Sequence, residues 1–398
     1  MEKLKVGILG LGRGFTYLRN FLMLDNAELI GACDRWPERR ERGEAQIAEQ
    51  GSKARVVPEF DDLLDMRPDA IMVASNGKMQ VQHACQALEA GCHVLSEVPG
   101  AYTEEEWVLL RDAVDRTGKA YMLAENSSFL DFLRYWRKWI LEGRFGHISI
   151  AEAEYLHYLP QTVEAPDHRR IPPSQARAEG ITDAVPVWRA DQPPIQYLTH
   201  DLGPLLEVLD DRVVSVTCRS APWRCPEAPL RSDGQIALFH TRNGNLIKVM
   251  VTLNTRRPEE HRYRLFGTEG SAEWFSYEKF CKRFSRGEET KEGWEVLPIG
   301  AAALGDDTTT GHGGVDLKVA RYFTEALLEG KPMPIDIYRS MDYSLPGIIA
   351  NRSAELGGQP LPIPDLRRET FKETGFWDVV GLPEKDPEGK RIREILGN

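Results

Sequence analysis

The sequence lacks any apolar run of about 18 residues, the length that a membrane-spanning helix requires. It is also short of positive charge, because 50 Lys and Arg residues stand against 61 Asp and Glu residues, for a formal net charge of −11. Nucleic acids and anionic membranes bind clustered positive charge, so neither is an expected partner. Basic residues gather at 35–42, but acidic residues interrupt them, which is typical of a solvated helix face.

Cysteines are few, and none of the six forms the close C-x-x-C pairs that zinc sites use. We therefore expect free thiols in a reducing compartment and no metal site. The first apolar run begins within five residues of the N-terminus, which leaves no room for a signal peptide, so a cytoplasmic protein is expected. Internal repeats and low-complexity tracts are absent from the sequence, and 398 residues are enough for two domains.

The stretch KVGILGLGRGF at residues 5–15 is the most informative feature that is present. Its apolar run leads into Gly10, Gly12 and Gly14, which predicts a buried strand, a tight turn and a helix. Glycines at such a turn let an anionic pyrophosphate approach the N–H groups of a helix N-terminus. In the dinucleotide fingerprint G-x-G-x-x-G the third glycine would fall at Phe15, one position later than here. A strand-to-helix turn without a ligand is the alternative interpretation.

A second apolar run, 27–33, ends at Asp34, which follows Gly10 by 24 residues. A carboxylate at this strand end accepts hydrogen bonds from both ribose hydroxyls and repels a 2′-phosphate, so the pattern favours NAD over NADP. Arg35, Arg39 and Arg40 lie just beyond, and an arginine there could hold that phosphate instead. A solvated turn residue is the alternative interpretation of Asp34.

Apolar runs alternate with helical stretches up to residue 124, which predicts a doubly wound parallel sheet over residues 1–124. Ligands bind outside the carboxyl ends of the strands in such a sheet. The residues that follow the fourth and fifth predicted strands are therefore candidates for the cofactor site: Ser75, Asn76, Glu97, Val98 and Pro99. A plain strand terminator is the alternative interpretation of Pro99.

The pattern changes beyond residue 124, and we expect an α+β domain over 125–398. A helix rich in aromatic residues is predicted over 129–141, and two closing helices, predicted over 315–328 and 338–355, are expected to return to the first domain. Six runs alternate apolar and polar residues, as in an open antiparallel sheet with one wet face: 148–155, 213–219, 235–240, 246–253, 261–266 and 271–277. The Pro-rich segment 160–194 is too long for an ordinary connection and indicates a lid, a binding loop or disorder. A second irregular stretch covers 298–314.

The glycine turn, an E-x-P motif after the fifth strand and a C-terminal antiparallel sheet together resemble the Gfo/Idh/MocA family of sugar oxidoreductases. The resemblance implies a Rossmann domain that binds NAD or NADP, an open-sheet domain that mediates dimers or tetramers, and a carbohydrate substrate. Typical dehydrogenases of the family carry E-K-P, whose lysine assists proton removal from the substrate hydroxyl. Here Val98 stands in place of that lysine, between Glu97 and Pro99.

Five further matches resemble the glycoside hydrolase family 109 branch of that family, whose members keep NAD tightly bound and oxidise a sugar carbon transiently before elimination. The motifs are E-V-P at 97–99, E-N at Glu125 and Asn126, Y-x-H at Tyr155 and His157, Y-x-T-H at Tyr197 and His200 followed by Gly203-Pro204, and G-H-G-G-x-D from Gly311 to Asp316. The expected cofactor-binding residues, from the glycine turn, the strand ends and these motifs together, are Gly10, Gly12, Arg13, Gly14, Phe15, Asp34, Arg35, Ser75, Asn76, Glu97, Val98, Pro99 and Asn126.

The two Tyr/His pairs indicate acid–base chemistry on physical grounds as well. Tyr155 and His157 are two apart on a predicted strand, and Tyr197 and His200 are three apart at a predicted helix start, so each pair shares a face. Imidazole suits proton transfer near neutral pH, and a phenol can serve beside a cation. A packed or surface position is the alternative interpretation of each residue.

We expect His200 or Tyr197 to handle the hydroxyl proton and Tyr155 the carbon-bound proton. His157, Glu125 and Arg189 are expected to hold the sugar, and His312 is expected to contact the substrate or the nicotinamide, unless its motif only shapes a loop. Three tryptophans could stack on a sugar, although helical spacing favours core packing for the first two: Trp136, Trp139 and Trp188.

The main functional expectation is an NAD-dependent oxidoreductase that acts on a carbohydrate by hydride transfer at a ring carbon. The alternative is a glycosidase that uses tightly bound NAD for transient oxidation, elimination and re-reduction, which the missing lysine favours. A sugar or nucleotide sensor without catalysis is a third hypothesis, but it would not need both Tyr/His pairs.

Overall fold

The computed structural model describes residues 3–225, 232–276, 278, 280–285, 293–298 and 310–391. Contacts divide the chain into two units. Unit 1 consists of the described residues of Met1–Leu130, Ala302–Met341 and Leu366–Gly381, and unit 2 of those of Asp131–Ala301, Asp342–Asp365 and Leu382–Asn398. Unit 1 thus contains two later segments that the limits 1–124 and 125–398 assign to the second domain. The end of the run predicted at Tyr277, residues 299–309 of the irregular stretch and the side chain of Trp188 lie outside the described residues.

The sheet of unit 1 has six strands in the order β3-β2-β1-β4-β5-β6, and each pair is parallel. The strands are β1 Leu4–Leu9, β2 Ala27–Cys33, β3 Arg55–Val57, β4 Ala70–Val73, β5 His93–Ser96 and β6 Tyr121–Leu123. The strand order reverses between β1 and β4, and a ligand crevice lies at such a switch point in doubly wound folds. The predicted Rossmann fold is confirmed.

The strands of unit 2 form a large mixed sheet and a small separate one. In chain order they are β7 Ile148–Leu156, β8 Val163–Glu164, β9 Arg170–Ile171, β10 Val185–Pro186, β11 Val213–Ser220, β12 Gly234–Thr241, β13 Leu246–Thr252, β14 Glu260–Gly267, β15 Gly270–Phe275, β16 Phe280–Ser285, β17 Glu295–Leu297, β18 Leu361–Pro362 and β19 Lys390–Arg391. The large sheet has the order β18-β11-β12-β13-β7-β14-β15-β16-β17-β19. Its neighbours are antiparallel except β13 and β7, so the mostly antiparallel sheet is confirmed.

The described part of the chain contains eleven α-helices, besides short 3-10 helices. They are α1 Gly14–Met23, α2 Pro37–Glu49, α3 Phe60–Leu64, α4 Gln80–Glu89, α5 Glu104–Thr117, α6 Asp131–Leu141, α7 Pro173–Ala178, α8 Thr199–Leu209, α9 Val315–Glu329, α10 Ile337–Glu355 and α11 Phe376–Val380. None of the described helices is long and apolar enough to cross a membrane.

The Pro-rich segment 160–194 has more structure than a loop. It contains β8, β9 and β10, paired in the order β10-β8-β9, together with α7. Ala165, Ile171 and Ala176 form a small apolar cluster inside it. The segment was predicted as a lid, a binding loop or a disordered stretch, and its two-residue strands are too short to give a periodic sequence pattern.

Aromatic packing holds α6 against the large sheet within unit 2. Trp136 and Trp139 are fully buried, which confirms the packing interpretation of these two tryptophans. The Phe132 ring stacks on Trp274 of β15 with centroids 4.4 Å apart, and it meets Trp136 edge-on at 4.9 Å. Aromatic pairs of this kind stabilise a core beyond the area that they bury.

Helix α5 of unit 1 begins with a complete capping box. The Thr103 hydroxyl accepts a hydrogen bond from the Glu106 N–H at 3.1 Å, and the Glu106 carboxylate accepts one from the Thr103 N–H at 3.2 Å. Two N–H groups that would otherwise lack helical partners are satisfied in this way.

The substitution Thr103→Ala is expected to lower the free energy of unfolding of unit 1 by about 1 kcal/mol, because one N–H loses its acceptor. Urea titration followed by far-ultraviolet circular dichroism measures the change. Thr103→Ser keeps the hydroxyl and should unfold like the wild type. Equal midpoints for the alanine variant and the wild type would contradict the capping role.

Candidate active site

The glycine turn of unit 1 brings its backbone close to neighbouring strands. Gly10 has φ +91°, and a Cβ there would collide with the carbonyl oxygen of Ala74. A Cβ at Gly14 would lie 3.1 Å from the side chains of Ala74 and Ile8. Helix α1 begins at Gly14 with no side-chain cap and no acidic residue in its first turn. Its first N–H groups therefore suit an anion such as a pyrophosphate.

A Cβ at Gly12 would have only the flexible Arg39 guanidinium near it, at 3.6 Å, so the backbone is open on this side. The turn residues therefore fit a dinucleotide cofactor: close packing requires Gly10 and Gly14, and Gly12 leaves room for a ligand. Phe15 is buried, and the Arg42 guanidinium lies 3.6 Å from its ring centroid. The aromatic ring at this position thus serves packing in unit 1.

Asp34 lies at the end of β2 and is buried. Its carboxylate accepts hydrogen bonds from the Leu11 N–H at 2.7 Å and the Trp36 N–H at 2.9 Å, and the Arg39 guanidinium lies 3.8 Å away. The carboxylate thereby joins the glycine turn to the end of β2, so Asp34 is more than a solvated turn residue.

The other two arginines beyond β2, Arg35 and Arg40, contact residues close to them in the sequence. Arg40 donates to the carbonyl oxygens of Asp34 at 3.0 Å and Arg35 at 2.8 Å, and the Arg35 guanidinium lies 4.6 Å from the Trp36 ring centroid. Arg40 therefore stabilises the backbone around Asp34, and Arg39 is the arginine nearest its carboxylate.

The residues predicted after β4 and β5 also lie at the carboxyl end of the sheet. The Ser75 hydroxyl is 2.9 Å from Nδ1 of His83, and the Asn76 side chain accepts from the Lys78 N–H at 3.1 Å, which caps a short 3-10 helix. After β5, the Glu97 carboxylate accepts from the Val98 N–H at 3.2 Å. The Val98–Pro99 peptide bond is cis.

A network of ion pairs in unit 1 centres on Asp316, which sequence analysis quoted in a motif but did not assign a role. The Arg13 guanidinium lies 2.9 Å from Glu97 and 2.8 Å from Asp316. The Asn126 amide donates to Asp316 at 2.8 Å, and Nδ1 of His312 is 2.9 Å from the same carboxylate. Four predicted site residues therefore meet in one cluster, and Asp316 is its fully buried member.

The charges of this cluster stabilise one another. Burial alone would raise the pKa of Asp316, but the hydrogen bond from His312 and the positive charge of Arg13 outweigh it and hold that pKa well below its ordinary value. The Asp316 carboxylate is therefore ionised at neutral pH and can only accept a hydrogen bond. Nδ1 of His312 must then carry the hydrogen that it shares with this carboxylate. Burial and the two carboxylates raise the pKa of the buried Tyr17 hydroxyl, which stays protonated.

The four side chains predicted to do acid–base chemistry lie together in unit 2. The ring of Tyr155, near the end of β7, and the ring of His157, just beyond that strand, are stacked with centroids 3.9 Å apart, as their spacing of two residues predicts. Tyr197 ends a 3-10 helix, Pro194–Tyr197, and His200 lies in the first turn of α8; the centroids of their rings are 5.2 Å apart. The ring of Tyr155 also contacts this second pair: its centroid lies 5.1 Å from that of Tyr197 and 5.8 Å from that of His200.

Two residues that sequence analysis missed belong to the same cluster. His261 lies on β14 directly opposite Tyr155 of β7. Its Nε2 is 3.4 Å from Nε2 of His157, and its Nδ1 is 3.5 Å from the carboxylate of the fully buried Asp201. His261 stood at the start of a predicted strand, but its role depends on the pairing of β14 with β7, which a sequence pattern does not reveal.

Burial shifts the protonation of this cluster. It raises the pKa of Tyr155 well above 10, with Tyr197 adding to the rise and the positive charge of Arg189 opposing it. It lowers the pKa of His157 from 6.5 to about 4, which His261 reinforces and the carboxylate of Glu259 opposes. At neutral pH the phenol is therefore protonated and the His157 imidazole is neutral.

The residues predicted to hold the sugar have different surroundings. Arg189 is half-buried in a 3-10 helix of unit 2, and its charge acts on Tyr155. Glu125 belongs to unit 1 and is fully buried, and its carboxylate accepts from the Ser127 N–H at 2.9 Å. Glu125 thus caps the 3-10 helix that follows β6, and its contact with a sugar stays a prediction. His312 is exposed on its outer side, with 61% of its side chain accessible.

Comparisons with known sequence families match two segments of the chain. Residues 4–125 match the Gfo/Idh/MocA oxidoreductase family, NAD-binding Rossmann fold, and residues 231–373 match the C-terminal domain of glycosyl hydrolase 109. His261, His312 and Asp316 fall inside the second segment. The two Tyr/His pairs lie between the two segments, so their assignment depends on the geometry described above.

Full-length relatives are similar to nearly the whole chain. The glycosyl hydrolase family 109 protein 2 of Akkermansia muciniphila is 25% identical over 419 residues, which cover 94% of this chain and 85% of that protein. The glycosyl hydrolase family 109 protein of Shewanella sp. strain W3-18-1 is 25% identical over 421 residues, which cover 96% of this chain and 89% of that protein.

Solved structures are similar in fold at lower identity. A levoglucosan dehydrogenase in complex with NADH and levoglucosan has a TM-score of 0.74 at 20% identity and covers 91% of this chain and 100% of its own. An inositol dehydrogenase homologue from Azotobacter vinelandii in complex with NADH and myo-inositol has a TM-score of 0.69 at 20% identity. The match covers 91% of this chain and 98% of that structure's chain.

The lowered pKa of His157 predicts a loss of stability in acid. The unfolded chain takes up a proton near pH 6.5 and the folded one only near pH 4, so the free energy of unfolding falls as the pH drops through this window. Each pKa unit corresponds to about 1.4 kcal/mol, so the loss from this residue amounts to about 3 kcal/mol at most. His157→Gln should lose less stability between pH 7 and pH 4 than the wild type.

Thermal melts at both pH values measure this difference. His240→Gln, which changes an exposed histidine on β12, is the matched control and should melt like the wild type at each pH. An identical acid loss in the His157 variant and the wild type would show that another group is responsible.

Proposed function

Because the chain joins a Gfo/Idh/MocA-family NAD-binding Rossmann domain to a glycosyl hydrolase 109 C-terminal domain, we propose that it is a glycosidase that uses NAD without net oxidation. A ring carbon of the sugar is oxidised and the leaving group is eliminated with the proton of the adjacent carbon. Water then adds to the resulting double bond at the carbon that lost the leaving group, the adjacent carbon regains a proton, and the carbonyl is reduced again. The observation that carries the proposal is the cluster of Tyr155, His157, Tyr197 and His200, which supplies more than one proton-transfer group.

Redox-neutral glycoside cleavage, the alternative function predicted from the sequence, is favoured over the main expectation of net sugar oxidation. Both sequence relatives described above are glycosyl hydrolase family 109 proteins, whereas the sugar dehydrogenases resemble the chain in fold at 20% identity. Val98 also stands where typical dehydrogenases of the family have the lysine that assists net oxidation. A carbohydrate is the substrate under either function.

NAD is the proposed cofactor, and it would supply the hydride acceptor for oxidation of the ring carbon and the hydride donor for the final reduction. The glycine turn would hold the pyrophosphate at the start of α1, and Asp34 would face the adenosine ribose. Since Asp34 is held by two backbone N–H groups with its carboxylate at the strand end, a 2′-phosphate would meet a fixed negative charge. This arrangement supports NAD over NADP.

Two protons have to move in the proposed reaction, and the cluster offers groups for both. His200, with Tyr197 beside it, accepts the proton of the ring hydroxyl as the carbon is oxidised. The proton on the adjacent carbon is then acidic, and Tyr155 is the group proposed to take it. Tyr155 is protonated in the free protein because burial raises its pKa, so it must first pass its own proton to a neighbour. The neutral imidazole of His157, stacked on Tyr155 with ring centroids 3.9 Å apart, is the proposed recipient of that proton.

Elimination and readdition predict a distinct isotope pattern. When the purified protein hydrolyses an aryl glycoside in D2O, the product should carry deuterium at the carbon next to the oxidised one. Released aglycone should accumulate without NADH absorbance at 340 nm, and acid denaturation should release NAD from the pure protein. Stoichiometric NADH from a free sugar, with no aglycone release, would instead establish net oxidation.

The two proton-transfer assignments predict large losses of turnover. Tyr155→Phe and His200→Ala should each lower kcat for aryl glycoside hydrolysis by about 100-fold or more, the usual contribution of a positioned acid or base. Tyr135→Phe on α6 and His147→Ala at an exposed position are matched controls and should keep wild-type kcat. Unchanged turnover in both active-site variants would refute the mechanism.

A further inference from the structure

Asp316, at the start of α9, joins residues from four separate stretches of unit 1. Its carboxylate contacts Arg13 of the glycine turn at 2.8 Å, Asn126 after β6 at 2.8 Å and His312 of the preceding loop at 2.9 Å. Arg13 in turn contacts Glu97 after β5 at 2.9 Å. The stretches that meet here come from the carboxyl ends of β1, β5 and β6, where a doubly wound sheet binds its ligand.

The contacts fix the side chain of Arg13, which lies between two glycines of the turn. Arg13 is half-buried, and carboxylates on two sides hold its guanidinium. A free arginine side chain at this position would be mobile and could pair with a phosphate in many geometries. Held by Asp316 and Glu97, it leaves the N–H groups at the start of α1 as the anion-binding groups and keeps their backbone in one conformation.

The loop that precedes Asp316 is closely fitted to α1. All four residues of this loop have a φ between +46° and +94°: Gly311, His312, Gly313 and Gly314. Residues other than glycine rarely adopt this backbone conformation. A Cβ at Gly311 would collide with the Asp316 carboxylate and with Thr16 of α1. The Asn20 amide of α1 also donates to the Thr310 carbonyl at 3.1 Å. Loop and helix therefore form one surface, with Asp316 behind it.

We propose, resting on the proposed glycosidase function, that Asp316 is a positioning residue that makes the protein retain NAD between turnovers. A redox-neutral reaction requires the hydride to return to the same sugar, so release of the dinucleotide after the first half-reaction would strand an oxidised product. A turn that is already ordered loses little further conformational freedom on binding, and this slows dissociation. Asp316 orders the turn through Arg13 and touches no ligand in this role.

The substitution Asp316→Asn removes the charge that holds Arg13 while keeping the side-chain size. On nucleotide-stripped protein, titration calorimetry should show NAD and ADP-ribose binding at least about tenfold more weakly than to the wild type, as the loss of a charge-assisted contact implies. AMP, which lacks the pyrophosphate, should bind within about twofold of the wild type. The protein as purified should also contain less NAD per chain after acid release.

Two further variants make the test decisive. Asp336→Asn changes a half-buried carboxylate of unit 1, which accepts a hydrogen bond from the Arg339 N–H, and should bind all three nucleotides like the wild type. His312→Gly suits the positive φ of that position, removes one of the three contacts, and should weaken NAD binding by about threefold. It serves in place of Asp316→Asn if that variant does not fold.

Three results would overturn the proposal: wild-type NAD affinity in Asp316→Asn, an equal loss of AMP and NAD affinity, or, where only His312→Gly folds, unchanged NAD affinity in that variant. Nucleotide binding is measured without any glycoside. A wild-type protein that retains NAD but releases no aglycone would refute the proposed glycosidase function and leave this role of Asp316 standing.

Discussion

The burial of one carboxylate constrains much of unit 1. An ionised carboxylate removed from water costs many kcal/mol unless donors surround it, and Asp316 is fully buried. Its donors come from Arg13, Asn126 and His312, which belong to different stretches of the chain. Because the charge can be buried only when all of these stretches are in place, the glycine turn, the residues after β6 and the loop before α9 must be ordered together.

The cluster of unit 2 differs from that of unit 1, because most of its members are titratable rings and Asp201 is the one carboxylate named in it. Tyr155 stays protonated and His157 stays neutral because each neutral form is the cheaper one to bury. The cluster therefore holds one proton that can leave and one nitrogen that can receive a proton. Asp201 and His261 extend it by a carboxylate and a second imidazole, at the separations expected of a chain of polar contacts.

Sequence patterns predicted the elements that bury one face or both. The apolar runs in 5–15 and 27–33 predicted β1 and β2, and the capping box of Thr103 and Glu106 at α5 is a signal of the kind that a sequence can carry. The short strands β8, β9, β10, β18 and β19 have two residues each, too few to show a period. The sequence predicts one helix over 129–141, but in the structure Phe129 ends a 3-10 helix and α6 begins at Asp131.

The candidate site shows the same division between local and long-range information. Tyr155 with His157, and Tyr197 with His200, could be paired by spacing along the chain, whereas His261 joins them only because β14 lies beside β7. Asp316 and Arg13 are about 300 residues apart, and no spacing rule brings them together. Contacts of this kind depend on strand order, which periodicity does not encode.

Replacement of a lysine by Val98 has a consequence for how proton transfer is distributed. An apolar side chain after β5 offers no donor or acceptor, while the neighbouring Glu97 is paired with Arg13 and held in the network of Asp316. The ionisable side chains near the end of β5 are therefore committed to structure, and under the proposed function the moving protons fall to the imidazoles and phenols of unit 2. Such a division suits a reaction that returns its hydride. Under the proposed function, the fixed charges of unit 1 would keep the glycine turn ordered for the cofactor, and the neutral, titratable rings of unit 2 would change protonation state as the sugar reacts.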